Sequence, residues 1–134
     1  MGNFKGMLAA WLREVRGLTD LYVALASLPA LRERFLKAAQ ETQEASSEID
    51  TLLQAYGGKS PRPGGLPGRL RAACVRRRGE AAALAEVARR ERAAAALGME
   101  TLARCPNSDP LVTNRLYALA RRAQARAAAW NGRP

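Results

Sequence analysis

Apolar residues recur at alternating spacings of four and three along residues 4–56, and this repeat strongly restricts the possible folds. Such spacing places one apolar stripe along one face of an α-helix. The short corner Ser27–Pro29 separates two such stripes, so the two helices must lie antiparallel as a hairpin over residues 4–56. The first stripe is Phe4, Leu8, Trp11, Val15, Leu18, Tyr22 and Leu25, and the second is Leu31, Phe35, Ala38, Thr42, Ala45, Ile49, Leu52 and Tyr56.

A stretch rich in glycine and proline follows the hairpin. Gly57 comes directly after the second stripe and is the residue type expected to cap a helix C-terminus. Residues 57–68 hold five of the eleven glycines and three of the seven prolines. Because such a composition opposes helix formation, the sequence predicts an extended crossover over residues 57–68.

The remaining chain predicts a second helical pair over residues 66–130. A third segment, Leu66–Arg104, is either continuous or two pieces joined near Gly79, and Asp109-Pro110 is a typical helix start. Leu70 and Val75 are expected to be buried in its first part, and Leu84, Val87, Ala94 or Ala95, Gly98 and Leu102 in its second part; the last helix is expected to bury Val112, Leu116, Leu119, Ala123, Ala127 and Trp130. The prediction is one all-α domain over residues 1–134. It is an antiparallel four-helix bundle with its long crossover between helices 2 and 3.

The positive charge of the chain lies entirely in its second half. Residues 1–60 hold seven basic and seven acidic residues, whereas residues 61–134 hold fifteen basic and five acidic ones, which gives the net charge of +10. This asymmetry favours an anionic partner or nucleic acid. Solvated faces or interhelical ion pairs are the alternative, because no aromatic platform or docking motif accompanies the charge. The candidate anion-binding residues are Arg76, Arg77, Arg78, Arg115, Arg122 and Arg126.

The chain contains no histidine, so Ser-His-Asp and Cys-His catalytic sites and His-based metal sites are excluded. Glu41 and Glu44 have the i, i+3 spacing of carboxylate-bridged metal bundles, and Glu91 falls on the apolar stripe of the third segment. These three residues are the candidate metal ligands of a degenerate site. Alternatively, Glu41, Glu44 and Glu48 form a solvated face and Glu91 pairs with an arginine. We expect a non-enzymatic protein without a cofactor.

The sequence also bears on location and association. Cys74 and Cys105 lack the spacing of metal ligands, and we expect buried free thiols, with a disulfide as the alternative. Since no signal peptide or membrane-spanning run is recognisable, we expect a soluble cytoplasmic protein with no membrane partner. Exposed parts of the apolar stripes around Trp11 and Trp130 predict a homodimer.

Several of these features occur together in a known family. The second helix ends in Tyr56-Gly57-Gly58, the crossover follows, and Arg90-Glu91-Arg92 and Asp109-Pro110 come later. Over roughly residues 8–130, this order resembles an uncharacterised bacterial family of ferritin-like four-helix bundles. The resemblance implies a ferritin-like fold, a stress-associated structural or interaction role and a metal-binding ancestry. Family members carry histidine just after the crossover, where this sequence has Arg69 and Arg71, so the metal-ligand histidines are missing.

Overall fold

The computed structural model describes residues 3–61, 66–106 and 109–131, without the side chains of residues 3, 66–69 and 131. Five α-helices and no strand are found in these ranges, which confirms the all-α prediction. No helix in the described ranges is both long enough and apolar enough to cross a bilayer. The helices are α1 (Asn3–Leu25), α2 (Arg32–Ala55), α3 (Leu66–Arg77), α4 (Glu80–Ala103) and α5 (Pro110–Asn131), with a 3-10 turn at Pro29–Leu31 before α2.

The end of α2 is fixed by the two glycines that follow Tyr56. Gly57 has a φ of 79°, a left-handed conformation that glycine adopts without steric cost. Its N–H donates to the carbonyl of Gln54 at 2.9 Å, and the Gly58 N–H donates to the carbonyl of Leu53 at 2.9 Å. This pair of bonds is a Schellman motif, and the predicted C-terminal cap is confirmed.

The start of α5 is capped by a side chain, as predicted. The Oδ1 atom of Asp109 accepts hydrogen bonds from the N–H groups of Leu111 at 3.1 Å and Val112 at 3.4 Å. Pro110 occupies the first helical position, where its missing N–H has no intrahelical partner to lose. Together these residues end the turn between α4 and α5.

The third segment is broken at Gly79, which has a φ of 98°, so the described chain has five helices rather than four. Residues 57–61 of the predicted crossover are not helical, but α3 already begins at Leu66. Residues 62–65 of the crossover lie outside the described ranges. The prediction of Leu70 as a core residue is wrong, because Ala72 and Val75 face the core and Leu70, two positions from Ala72, lies on the opposite side of α3.

The two cysteines lie on solvent-accessible parts of the helices and turns. Both are free thiols, and Cys74 is exposed while Cys105 is half-buried. The expectation of free thiols is confirmed, whereas the expectation that they are buried is wrong for Cys74. Its neighbour Val75 is buried, and adjacent helical residues point about 100° apart.

The core consists of two main apolar clusters at opposite ends of the molecule. The first joins the C-terminal half of α1 to the starts of α2 and α4, through residues such as Tyr22, Phe35 and Val87. The second joins the start of α1 to the end of α2 and the start of α5, through residues such as Leu8, Ile49 and Leu116. It follows that α1 and α5 run in one direction and that α2 and α4 run in the other.

The four long helices pack unevenly around this core. The closely packed pairs are α1 with α2, α1 with α4 and α4 with α5, and α3 packs on α1 and α4. Between α2 and α5 the backbones approach far less closely. An open groove therefore lies between these two helices.

Trp11 marks the closest approach of α1 to α4. The indole is 1% exposed, and a Cβ atom built at Gly98 would lie only 2.7 Å from its Cζ2 atom. The ring therefore lies directly on the backbone of α4. The expectation that the apolar stripe is exposed around Trp11 is wrong, because the space left by Gly98 allows the whole ring to be buried.

The contact between Gly98 and Trp11 predicts opposite effects for two glycine-to-alanine substitutions. Gly98→Ala forces the indole to move, and we expect it to lower the free energy of unfolding by about 1 to 3 kcal/mol. Gly6→Ala is the matched control, because nothing lies within 4 Å of a Cβ at this position in α1. We expect it to raise stability by about 0.5 to 1 kcal/mol through helix propensity. Urea denaturation measures both, and equal effects of the two would contradict this packing.

Candidate functional site

A fully buried carboxylate joins three helices at the centre of the molecule. Glu91 of α4 is 0% exposed. Its Oε2 atom accepts a hydrogen bond from the hydroxyl of Tyr22 on α1 and lies 3.4 Å from Nε of Arg126 on α5. The Arg126 side chain is itself only 11% exposed. The hypothesis that Glu91 pairs with an arginine is confirmed.

The surroundings of Glu91 have opposing effects on the pKa of its carboxyl. Burial raises the pKa of its carboxyl, while the positive charge of Arg126 and the hydrogen bond from Tyr22 lower it, and the negative charge of Glu41 raises it; the net direction is upward. Burial also raises the pKa of the Tyr22 hydroxyl strongly, with a further contribution from the charge of Glu91. Tyr22 therefore keeps its proton and remains the donor to Glu91.

The pair of Glu91 and Arg126 is not fully satisfied. Oε1 of Glu91 and Nε of Arg126 are both buried without a hydrogen-bond partner, so the contact at 3.4 Å is an ion pair rather than a hydrogen bond. Unpaired buried polar atoms are uncommon in native proteins, because each retains much of its desolvation cost. This site therefore has unused hydrogen-bonding capacity.

The groove between α2 and α5 adjoins this buried pair. Its volume is about 620 Å³, and Arg126 forms part of its wall. Arg126 is in contact with Glu91, and Glu41, whose charge acts on Glu91, also lines the groove. Glu91 itself is not among the residues that line the groove. The lining residues are Glu41, Glu44 and Ala45 of α2 and Arg122, Ala125, Arg126 and Ala129 of α5.

The charged side chains that line the groove are two carboxylates, Glu41 and Glu44, and two guanidiniums, Arg122 and Arg126. Its two arginines are already paired, since Arg122 Nη1 lies 3.5 Å from Oε2 of Glu48 and Arg126 contacts Glu91. In the described part of the chain, no basic side chain lies within 4 Å of the Glu41 or Glu44 carboxylate. Glu44 only accepts a long bond of 3.5 Å from the Gln40 amide. Two carboxylates on the α2 wall are therefore left without a cation.

The three candidate metal ligands occupy two different environments. Glu41 and Glu44 line the groove, whereas Glu91 lies in the core behind Arg126. Among the described residues, no three His, Cys, Asp or Glu side chains come close enough together to hold a metal ion. The guanidinium of Arg126 lies against the Glu91 carboxylate, where a shared cation would have to bind.

The six candidate anion-binding arginines do not form one surface. Arg76, Arg77 and Arg78 are exposed at the end of α3, next to the first core cluster, whereas Arg115 is exposed beside the second cluster at the opposite end. Arg122 and Arg126 are the two paired arginines of the groove. The structure thus divides the set into an exposed group at each end and a paired group between them.

Other arginines make ion pairs between helices, as the alternative interpretation of the charge predicted. Arg71 of α3 contacts Glu86 of α4 at 3.1 Å, and Arg89 contacts the same carboxylate from within α4 at 2.7 Å. Arg90 of α4 pairs likewise with Glu14 of α1 at 3.8 Å. Burial by itself would raise the pKa of Glu86, but the hydrogen bonds from Arg89 and Arg71 lower it below its ordinary value. Arg71 thus attaches α3 to α4.

Sequence reasoning did not find the role of Tyr22. Its position on the apolar stripe correctly indicated burial, but nothing in the pattern showed that its hydroxyl faces Glu91. The only signal for this contact was that Tyr22 and Glu91 both fall on apolar stripes. A buried hydroxyl and a buried carboxylate each need a polar partner, and they can supply it to each other. The aromatic cluster of Tyr22, Phe35 and Trp130, with Arg34 4.4 Å above the Trp130 ring, was missed for the same reason.

Comparisons of the chain with protein-family models, curated proteins and solved structures found no match.

The buried pair predicts a large and pH-dependent effect of Arg126→Met. Without the guanidinium, Glu91 lacks its counter-charge, and we expect a loss of about 3 to 5 kcal/mol at neutral pH. The pKa of the Glu91 carboxyl is raised above 4.5 in the folded protein. At a pH where this carboxyl is protonated in both the folded and the unfolded state, its burial adds no charge penalty to the free energy of unfolding. The loss should therefore be small at low pH and grow as pH rises through the folded pKa.

Arg115→Met is the matched control, because Arg115 is exposed on the same helix. We expect its effect to stay within about 0.5 kcal/mol at every pH. Guanidinium denaturation across pH compares the two variants. A similar loss in both, or a loss in Arg126→Met that does not depend on pH, would show that Glu91 and Arg126 are not coupled.

Proposed function

We propose that this protein is a non-enzymatic, ferritin-like four-helix bundle that serves as a structural or interaction module. In this proposal α1, α2, α4 and α5 form the bundle, and α3 packs beside it on α1 and α4. The shared direction of α2 and α4 supports it, because the connection between two parallel helices must return along the length of the bundle. One long crossover is the arrangement of ferritin-like bundles.

The observation that carries the functional proposal is the ion pair of Glu91 and Arg126. Metal-binding bundles of this class direct carboxylates from facing helices into the core, where cations neutralise them. Here the inward carboxylate of Glu91 is neutralised by a guanidinium of the chain itself and held by the Tyr22 hydroxyl. A permanent side-chain cation cannot exchange or change redox state. The central polar group thus favours cohesion of the helices over ion storage or redox chemistry.

The aromatic cluster supports the same role at one end of the bundle. Trp130 packs against Tyr22 and Phe35 with ring centroids 6.0 and 5.6 Å apart. The guanidinium carbon of Arg34 lies over the Trp130 ring, 4.4 Å from its centroid, a cation–π geometry. These contacts attach the end of α5 to the two helices of the first hairpin. Helix attachment is thus provided both in the core and at the bundle end.

Metal analysis after growth in iron- and manganese-supplemented medium tests this proposal. We expect substoichiometric metal in the purified protein, and a melting temperature that a chelator does not change. A bound ion would stabilise the folded state by mass action, so its removal would lower the melting temperature. One or more ions per chain, lost in Glu91→Gln but retained in the surface variant Glu100→Gln, would overturn the structural assignment.

A further inference from the structure

We propose that the arginine tip of α3 binds the phosphate backbone of a double-stranded nucleic acid, without preference for its sequence. The arginine tip consists of Arg76 and Arg77, in the last turn of α3, and Arg78, in the turn that follows. It is a different surface from the buried pair of Glu91 and Arg126. The inference therefore goes beyond the structural role and does not depend on it.

The three arginines of the tip have no counter-charge among the described residues. All three are exposed, and within the described part of the chain none of them makes an ion pair or a side-chain hydrogen bond. Arginines elsewhere on α1, α3, α4 and α5 pair with carboxylates at 2.7 to 3.8 Å. Glu80, the nearest acidic residue along the chain, lies in the first turn of α4, beyond the bend at Gly79. The positive charge of the tip is therefore available to a partner.

The tip lies at the more basic end of the molecule, which contains the first core cluster. We compared the two ends over the described residues, taking five residues from each helix end together with the turns between them. The first end has five arginines and two glutamates, and the opposite end has three basic and two acidic residues. The charged residues are Arg32, Glu33, Arg34, Arg76, Arg77, Arg78 and Glu80 at the first end, and Lys5, Lys59, Glu100, Arg104 and Asp109 at the second. A polyanion is therefore attracted more strongly to the first end.

The directions of the arginines suit an extended polyanion rather than a small anion. Successive helical residues point about 100° apart, so Arg76 and Arg77 leave α3 in different directions, and Arg78 follows outside the helix. Such side chains are not placed to surround one phosphate ion. Each can instead bind a separate phosphate along a backbone, and a planar guanidinium does so with two parallel hydrogen bonds.

The aromatic residues at this end favour a duplex over a single strand. Proteins that hold single strands let the bases stack on accessible aromatic rings. At this end Tyr22 and Phe35 are fully buried, and the guanidinium of Arg34 lies over the Trp130 ring. Phosphates on the outside of a duplex are bound without stacking.

The apolar residues of α3 favour a nucleic acid over an anionic membrane. Basic helices that bind a bilayer place apolar side chains beside the basic ones, so that they enter the lipid. Among the described side chains of α3, the one exposed large apolar group is Leu70, six residues before Arg76. This separation is about 9 Å along the helix axis. The arginine tip therefore has no apolar group of its own to insert.

Fluorescence anisotropy with a short, labelled, mixed-sequence DNA duplex tests the proposal. We expect saturable binding that weakens about 40-fold between about 50 and 200 mM salt, as three phosphate contacts require. No binding at the lower salt concentration, or an affinity that does not depend on salt, overturns the proposal. Tighter binding to a single strand of the same length, or displacement of the duplex by phosphatidylserine vesicles at equal phosphate concentration, overturns the assignment to a duplex. None of these results bears on the Glu91 and Arg126 pair.

Two triple variants with the same loss of charge assign the binding to the tip. The tip variant combines Arg76→Gln, Arg77→Gln and Arg78→Gln, and we expect it to weaken duplex binding about tenfold or more and to flatten the salt dependence. Thermal melting shows whether it is folded. Binding that is unchanged in the folded tip variant would overturn the proposal.

The control variant combines Arg13→Gln, Arg104→Gln and Arg115→Gln. These arginines are also exposed and make no ion pair within the described residues. Since they lie away from the tip, we expect their loss to weaken binding by no more than about threefold, through the lower net charge alone. Equal losses in the two variants would reveal general attraction to a basic chain and would overturn the site.

Discussion

The buried contact of Glu91 with Arg126 and Tyr22 is the constraint on which the helix arrangement depends. It brings together α4, α5 and α1, and so links the neutral first half of the chain to its basic second half. A carboxylate that loses its partner in such a place costs far more than the pair contributes when intact. Each of the three helices must therefore present its polar group at the same depth. Apolar stripes alone do not fix how far one helix is shifted along another, because one turn of a stripe resembles the next.

Side-chain size determines which helices pack tightly and which leave a groove. Gly98 allows the Trp11 indole to lie on the backbone of α4, which brings α1 and α4 together. The face of α5 that is turned toward α2 at the groove carries alanines and arginines, so no large apolar side chain fills that gap. The two arginines that line the groove, Arg122 and Arg126, are paired with Glu48 and Glu91. The open groove is thus a consequence of the same sequence that closes the other helix pairs.

Local patterns predicted the parts of the fold that depend on local physics. The stripe residues of α1 are all buried, and the caps at Gly57 and Asp109 depend on one residue type each. The break at Gly79 was one of two alternatives, because a single glycine can be tolerated within a helix. Leu70 was misplaced because α3 is too short for its apolar face to be identified from periodicity.

The candidate site was less predictable, because it depends on which helix faces which. The stripe phase of Glu91 indicated burial, and its ion pair with some arginine followed from the cost of an unpaired charge. That the partner is Arg126, that Tyr22 donates to the same oxygen and that Trp11 is covered by α4 all depend on helix pairing and depth. A single apolar stripe contains no information about which helices pair or about how deep each residue lies along the bundle. The groove could not be predicted at all, since it is a gap between two stripes.

A double-mutant cycle between Glu91 and Arg126 tests the central claim most directly. The free energy of unfolding is measured for the parent, Glu91→Gln, Arg126→Met and the double variant. If the pair organises the core, the double variant loses less stability than the sum of the single variants, by about 1 to 3 kcal/mol. Single effects that add to within about 0.5 kcal/mol would mean that the two side chains act independently, and would contradict this account.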